Sequence, residues 1–148
     1  MRAKPSYLLL LVLLMLAVAV AVTSIHDDAE GASFITLTAA LQSRTMHGAG
    51  PAGRLGDVTE QAWFLRDRNG RTVGRLFLFC HWTTNRIRLC MAEARLPGGT
   101  LVGMGATNTR LSGTFAVAGG TGRYRHSDGE ASFQATGIDR LIVRIALE

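Results

Sequence analysis

At 148 residues the chain has room for a single folded domain. It carries 16 basic against 11 acidic residues, a net charge of +5, but Arg66, Arg68, Arg71, Arg75, Arg86, Arg88, Arg95, Arg110, Arg140 and Arg144 are spread singly along it. A nucleic-acid-binding face needs clustered cations interleaved with aromatics, so the composition excludes that class.

Arg2 and Lys4 precede an unbroken apolar run of 15 residues, Leu8 to Val22. That is the length of a signal-peptide core and short of the ~20 residues a membrane span needs. Residues 1–24 are therefore read as a signal segment, the sole link to a membrane, and residues 25–32 as a polar, flexible lead-in. Without Arg2 and Lys4, 14 basic residues face 11 acidic ones, about +3. A secreted, extracytoplasmic location follows as the expectation for residues 33–148, the domain proper.

Ser33 to Leu41 alternates and is rich in β-branched residues, so it is predicted as the first strand. Gln42 to Gly56, with Gly48, Gly50, Pro51 and Gly53, is predicted as a long loop, a candidate lid. The second strand runs from Gln61 to Arg68 and ends at Asn69-Gly70, a strong hairpin signal. Arg71 to Trp82 is the third strand and Ile87 to Leu96 the fourth, followed by the turn Pro97-Gly98-Gly99. Thr100 to Ala106 is a short fifth strand in which Gly103 and Gly105 indicate a bulge or a close backbone approach. Thr114 to Ala118, Glu130 to Thr136 and Arg140 to Leu147 complete eight. No segment after residue 32 has a sustained helical period with caps. Eight short strands joined by hairpins must hide their two edges, and closure into an antiparallel up-and-down β-barrel does so. Strand pattern alone leaves a sandwich open as an alternative.

Cys80 and Cys90 occupy symmetric positions on a hairpin centred near Asn85. Opposed residues there have Cβ atoms ~4.5–5.5 Å apart, near the disulfide range, and exported chains favour the bridge. No metal is expected. His81, the nearest further ligand, points away from Cys80 by the period of two. No cofactor is expected either.

Between the sixth and seventh strands, Gly119, Gly120 and Gly122 are read as a structural corner where glycine permits positive φ. The absence of a following helix and lysine excludes a phosphate cradle. The stretch Phe115-Ala-Val-Ala-Gly-Gly-Thr-Gly-Arg-Tyr124, followed by Asp128-Gly129-Glu130, resembles the FAVxGGTGxYxxARGE signature of the dirigent and allene oxide cyclase barrel superfamily. It departs at Ser127-Asp128, where the family has Ala-Arg, so the sign of charge is inverted. The similarity extends over about residues 56–147 through Gly56-Asp57, Asn69-Gly70, Val73-Gly74, Cys80, Cys90 and Leu96-Pro97-Gly98-Gly99. It implies an eight-stranded barrel, a dimer or trimer, and a hydrophobic small molecule in the lumen whose cyclisation or isomerisation the protein steers or catalyses.

Ring closure through oxygen calls for an acid or a base. Glu93 is the first candidate, since apolar neighbours would raise its pKa and make it a proton donor. Asp57, at the start of the second strand, and His81 are the others. Glu93 shares a face with Ile87, Leu89 and Met91, whereas Arg88 shares the opposite face with Cys90, Ala92 and Ala94. Only one of the two can face the lumen. Trp63, Phe77, Phe79, Arg88 and Tyr124 are the candidate substrate-binding residues. His47, His126 and Ser127 lack the spacing of a hydrolase triad.

Overall fold

The final strand sets the pattern for the molecule. Leu141, Val143, Ile145 and Leu147 are buried, while Arg140 and Arg144 are exposed, because successive side chains point to opposite faces of a strand. The computed structural model describes residues 33–48 and 54–148; the signal segment, the lead-in and residues 49–53 of the expected loop lie outside them. The strands are β1 (Ser33–His47), β2 (Val58–Arg66), β3 (Thr72–Trp82), β4 (Ile87–Leu96), β5 (Gly99–Asn108), β6 (Gly113–Gly120), β7 (Gly129–Gly137) and β8 (Arg140–Leu147). Each pairs antiparallel with its neighbour and β1 pairs with β8, giving a closed eight-stranded barrel. All backbone edges are thereby satisfied.

β1 makes the closure by reaching both partners. Ser33 to Ala40 lie against β8, and Thr38 to His47 against β2, with a register shift between Leu41 and Ser43. The expected loop from Gln42 to Gly56 is thus strand as far as His47. Ser43 to His47 are all exposed, so this arm is held by backbone pairing and carries no apolar alternation to announce it. β2 ends at Arg66 because Asp67 Oδ1 accepts from the amides of Asn69 and Arg71, 2.9 and 3.0 Å away, and draws the chain into the turn.

At β5 both sequence readings of the glycines hold. The register shifts between Leu101 and Gly103, and a side chain at Gly105 would collide with the Thr114 carbonyl. In the corner after β6, Gly119 and Gly122 have φ of 113° and 61°. Gly120 differs: its φ is not positive, and glycine is needed there because the Thr100 carbonyl and Tyr124 approach too closely for a Cβ. The corner also holds one turn of 3-10 helix, Gly122–Tyr124, shorter than any pattern of caps and periodicity can reveal.

The glycine corner, the β4–β5 turn and the chain's last residues share one end of the barrel, since Leu101 pairs with Gly120 and Gly129 with Leu147. That end is packed shut. Leu65, Leu76, Ala94, Leu101, Phe115, Val117, Ala131, Phe133, Val143 and Ile145 fill it, leaving a void of only about 20 Å³. The Phe115 and Phe133 rings meet at 4.5 Å, tilted by 55°, the geometry aromatic pairs favour. The filled end is an apolar floor.

Candidate functional site

The opposite end is open. β1 and β2 lead into it, the β3–β4 hairpin and the β5–β6 and β7–β8 turns surround it, and it contains a cavity of about 490 Å³. Inward-facing positions of the strands line it: Thr59 and Gln61 from β2, Trp82 from β3 and Arg88 from β4. The β3–β4 register sets Trp82 opposite Arg88 and Cys80 opposite Cys90, and the two cysteines form a disulfide. The bridge therefore lies one inward step below the Trp82–Arg88 pair and ties both strands beneath it.

Arg88 is 4% exposed. Its guanidinium stacks 4.8 Å from the Trp82 ring, and one NH2 nitrogen donates to the Asn108 carbonyl at 2.7 Å. Burial, with the positive charge of Arg44 adding to it, lowers the Arg88 pKa to about 10. Arg44 and Arg110 line the same cavity. Among the described residues no Asp or Glu does. Below the rim, Trp63 Nε1 donates to Gln61 Oε1 at 3.2 Å and orients that carboxamide.

Leu111 adds an apolar wall from the β5–β6 turn. It is buried although its φ is +60°, a left-handed conformation that L-residues other than glycine rarely adopt. The turn enforces it: Asn108 Oδ1 accepts from Arg110 N at 2.9 Å and Ser112 N at 3.1 Å, and the Asn108 carbonyl accepts from Leu111 N at 3.1 Å. The same carbonyl receives Arg88, so one turn positions both the wall and the cation.

Of the two alternatives on β4, Arg88 faces the lumen and Glu93 faces outward, where its Oε1 accepts from Arg95 Nε at 2.6 Å. The even-numbered positions of β3 (Leu76, Leu78, Cys80 and Trp82) occupy the interior. Phe77, Phe79 and His81 consequently lie outside, correcting the expectation that Phe77 and Phe79 line the lumen and leaving His81 with no access to it. Trp63 is fully buried below the cavity. Tyr124 is buried at the floor end, donating to the Pro97 carbonyl at 3.5 Å, remote from the mouth. Asp57 is buried at the start of β2, but its Oδ2 accepts from the Arg54 amide at 2.8 Å and organises that turn. Thr59, Gln61, Arg44, Arg110 and Leu111 were not legible as site residues. Thr59 and Gln61 alternate with Trp63 and Leu65 along β2, and that shared face was the one signal pointing to them.

The arrangement is a shape-defining cup with donors at its rim. Among solved structures the fold of the chain is similar to that of a pyocyanin demethylase (TM-score 0.71, 23% identity, covering 78% of this chain and 100% of that one). It is also similar to the Diels-Alderase AbmU from Streptomyces koyangensis (0.66, 22%, 89% and 70%) and to the pterocarpan synthase dirigent protein GePTS1 (0.60, 16%, 80% and 88%). With these structures the chain shares the barrel fold. No family model and no curated protein matches the chain. The common ground with those structures is the framework, and the chemistry must be argued from this barrel's own cavity.

Proposed function

We propose that this barrel takes a hydrophobic small molecule into its open mouth and steers or catalyses its cyclisation or isomerisation. The observation that carries the reading is the cavity of about 490 Å³ standing on a packed apolar floor, within the ~300–1,000 Å³ of ordinary ligand pockets. A cup of that kind holds a flexible substrate in one folded conformer and removes much of the entropic barrier to ring closure. Its donors, Arg88 and the side chains beside it, can stabilise negative charge that develops on a substrate oxygen. The Diels-Alderase and the dirigent protein that share the fold support a cyclisation-type role.

Among the described residues no carboxylate or imidazole lines the mouth. This favours confinement and hydrogen-bond donation over proton transfer by Glu93 or His81, and it supports a second reading in which the barrel binds and orients without catalysing. The disulfide suits an oxidising compartment and supports export. Phe79, Leu89, Met91 and Met104 are exposed on the outer face of β3–β5, which supports self-association into a dimer or trimer.

The test is to incubate the protein with linear apolar substrates bearing a tethered diene and an activated double bond, following rate and enantiomeric excess by chiral chromatography. Acceleration with a biased product is expected from catalysis, and a biased product at the uncatalysed rate from steering alone. Racemic product at the background rate across the panel sinks both.

A further inference from the structure

Three buried polar groups at the mouth have no partner among the described residues. Thr59 Oγ1, Trp82 Nε1 and Arg88 Nε are each sealed from solvent and make no hydrogen bond to them. All three residues line one cavity, and they are 1%, 6% and 4% exposed. Buried donors left unmade are uncommon in folded proteins, because each costs its desolvation without return. These three residues set the walls of this hollow apart from the packed apolar floor.

A buried arginine is strongly unfavourable without a counter-ion, and among the described residues the groups that could serve are engaged or elsewhere. Asp57 is bound to the Arg54 amide. Glu60 pairs with His47 at 3.7 Å and Glu93 with Arg95, both on the outer face. Asp139, in the β7–β8 turn, is exposed and does not line the cavity. The undescribed loop residues Ala49, Gly50, Pro51, Ala52 and Gly53 carry no acid. Arg44 and Arg110 instead add two more cations to the same walls. The remaining lining, Met46, Leu111, Ala135, Ile138 and Leu141, is apolar.

We infer that the mouth is an oxyanion-gripping subsite: the ligand is an apolar molecule bearing a carboxylate or a stabilised enolate, seated against Arg88, Trp82 and Thr59. A guanidinium stacked on an indole presents its planar edge to a delocalised oxyanion, the partner it fits best. The inference deepens the ring-closing reading and rests on the same cavity, but it is tested at equilibrium and does not depend on turnover.

The experiment uses the full chain and matched probes: 2-naphthoate against 2-naphthamide for a carboxylate, and 4-hydroxycoumarin, ionised at neutral pH, against 4-methoxycoumarin for an enolate. Calorimetry and thermal shift should show the anion of at least one pair binding more tightly than its neutral counterpart, on the order of tenfold, the weight of a charge-assisted hydrogen bond. The pair that responds identifies the oxyanion. Arg88→Met should remove the preference and, without ligand, raise Tm by a few degrees. A cation retained for binding destabilises the empty fold, whereas an arginine with a structural role would lower Tm when removed. Should that variant fail to fold, Arg44→Ala on the rim should weaken the anion several-fold and leave the neutral probe unchanged. Equal affinities within both pairs, no anion-dependent stabilisation at all, or a preference untouched by these substitutions overturns the inference. Product analysis that fails while the anion preference stands would reject ring closure alone.

Discussion

Arg88 is the buried cation of the mouth, and its environment depresses its pKa. With its pKa lowered to about 10 by burial and by Arg44, the group is charged at neutral pH. It loses its proton some way below the range of an exposed arginine. A base with a depressed folded-state pKa penalises the fold while it is charged in both states; the penalty begins to lift as pH rises through about 10 and is gone only above the ordinary arginine range. Binding of an acidic ligand follows the opposite course, being fully present below that value and lost above it. Affinity for an ionised naphthoate measured from pH 7 to 11 is expected to fall with a midpoint near 10, and Arg88→Met should lack that limb. Arg44 and Arg110 are the other charged groups lining the cavity. A flat profile across the range would contradict the charge-based account.

At the scale of the element, the β3–β4 hairpin holds the site. Cys80 and Cys90 stand opposite each other and close a loop with a sequence separation of 10, just below the strand positions of Trp82 and Arg88. On the chain-entropy account a short loop of this kind contributes about 2–3 kcal/mol by restricting the unfolded chain. Replacing both cysteines with serine should lower stability by that amount in chemical denaturation and should also weaken ligand binding, since the tie under the hairpin is lost. A denaturation midpoint indifferent to the substitution would show that the barrel's own register suffices. The β5–β6 turn stands beside that hairpin, with Asn108 paired to Ile87. Its Asn108 carbonyl accepts from both Leu111 and Arg88, so an apolar wall and a cation are set by one peptide group.

At the scale of the molecule, the barrel has one filled end, one open end and an apolar band outside. Phe79 is 47% exposed, Leu89 58%, Met91 53% and Met104 57%, neighbours across three adjacent strands by register. A contiguous apolar surface of that kind marks a contact face more often than a solvated one. Sedimentation velocity is expected to give a dimer or trimer for the full chain and a monomer for Leu89→Glu with Tm unchanged. A wild-type monomer at tens of micromolar would refute self-association through this face.

The residues by themselves determined the strand content, most strand boundaries, the cysteine pairing and the corner around Gly119 and Gly122. Each depends on local chemistry: alternation, turn-forming residues and the φ freedom of glycine. Alternation also established that Glu93 and Arg88 lie on opposite faces, but it could not say which face is inside. On β3 and β4 both faces are apolar, with Phe77, Phe79, Leu89 and Met91 on one and Leu76, Leu78, Ala92 and Ala94 on the other. Only closure of the sheet, with β1 reaching from β8 to β2, decided that the face with Leu76, Leu78, Trp82 and Arg88 turns inward and the face with Phe77, Phe79, Leu89 and Met91 outward, because a closed sheet has one interior and each strand can turn only one of its faces to it. The same closure fixed which end is open, since that depends on how side chains from all eight strands fill a shared volume and on no single stretch of chain.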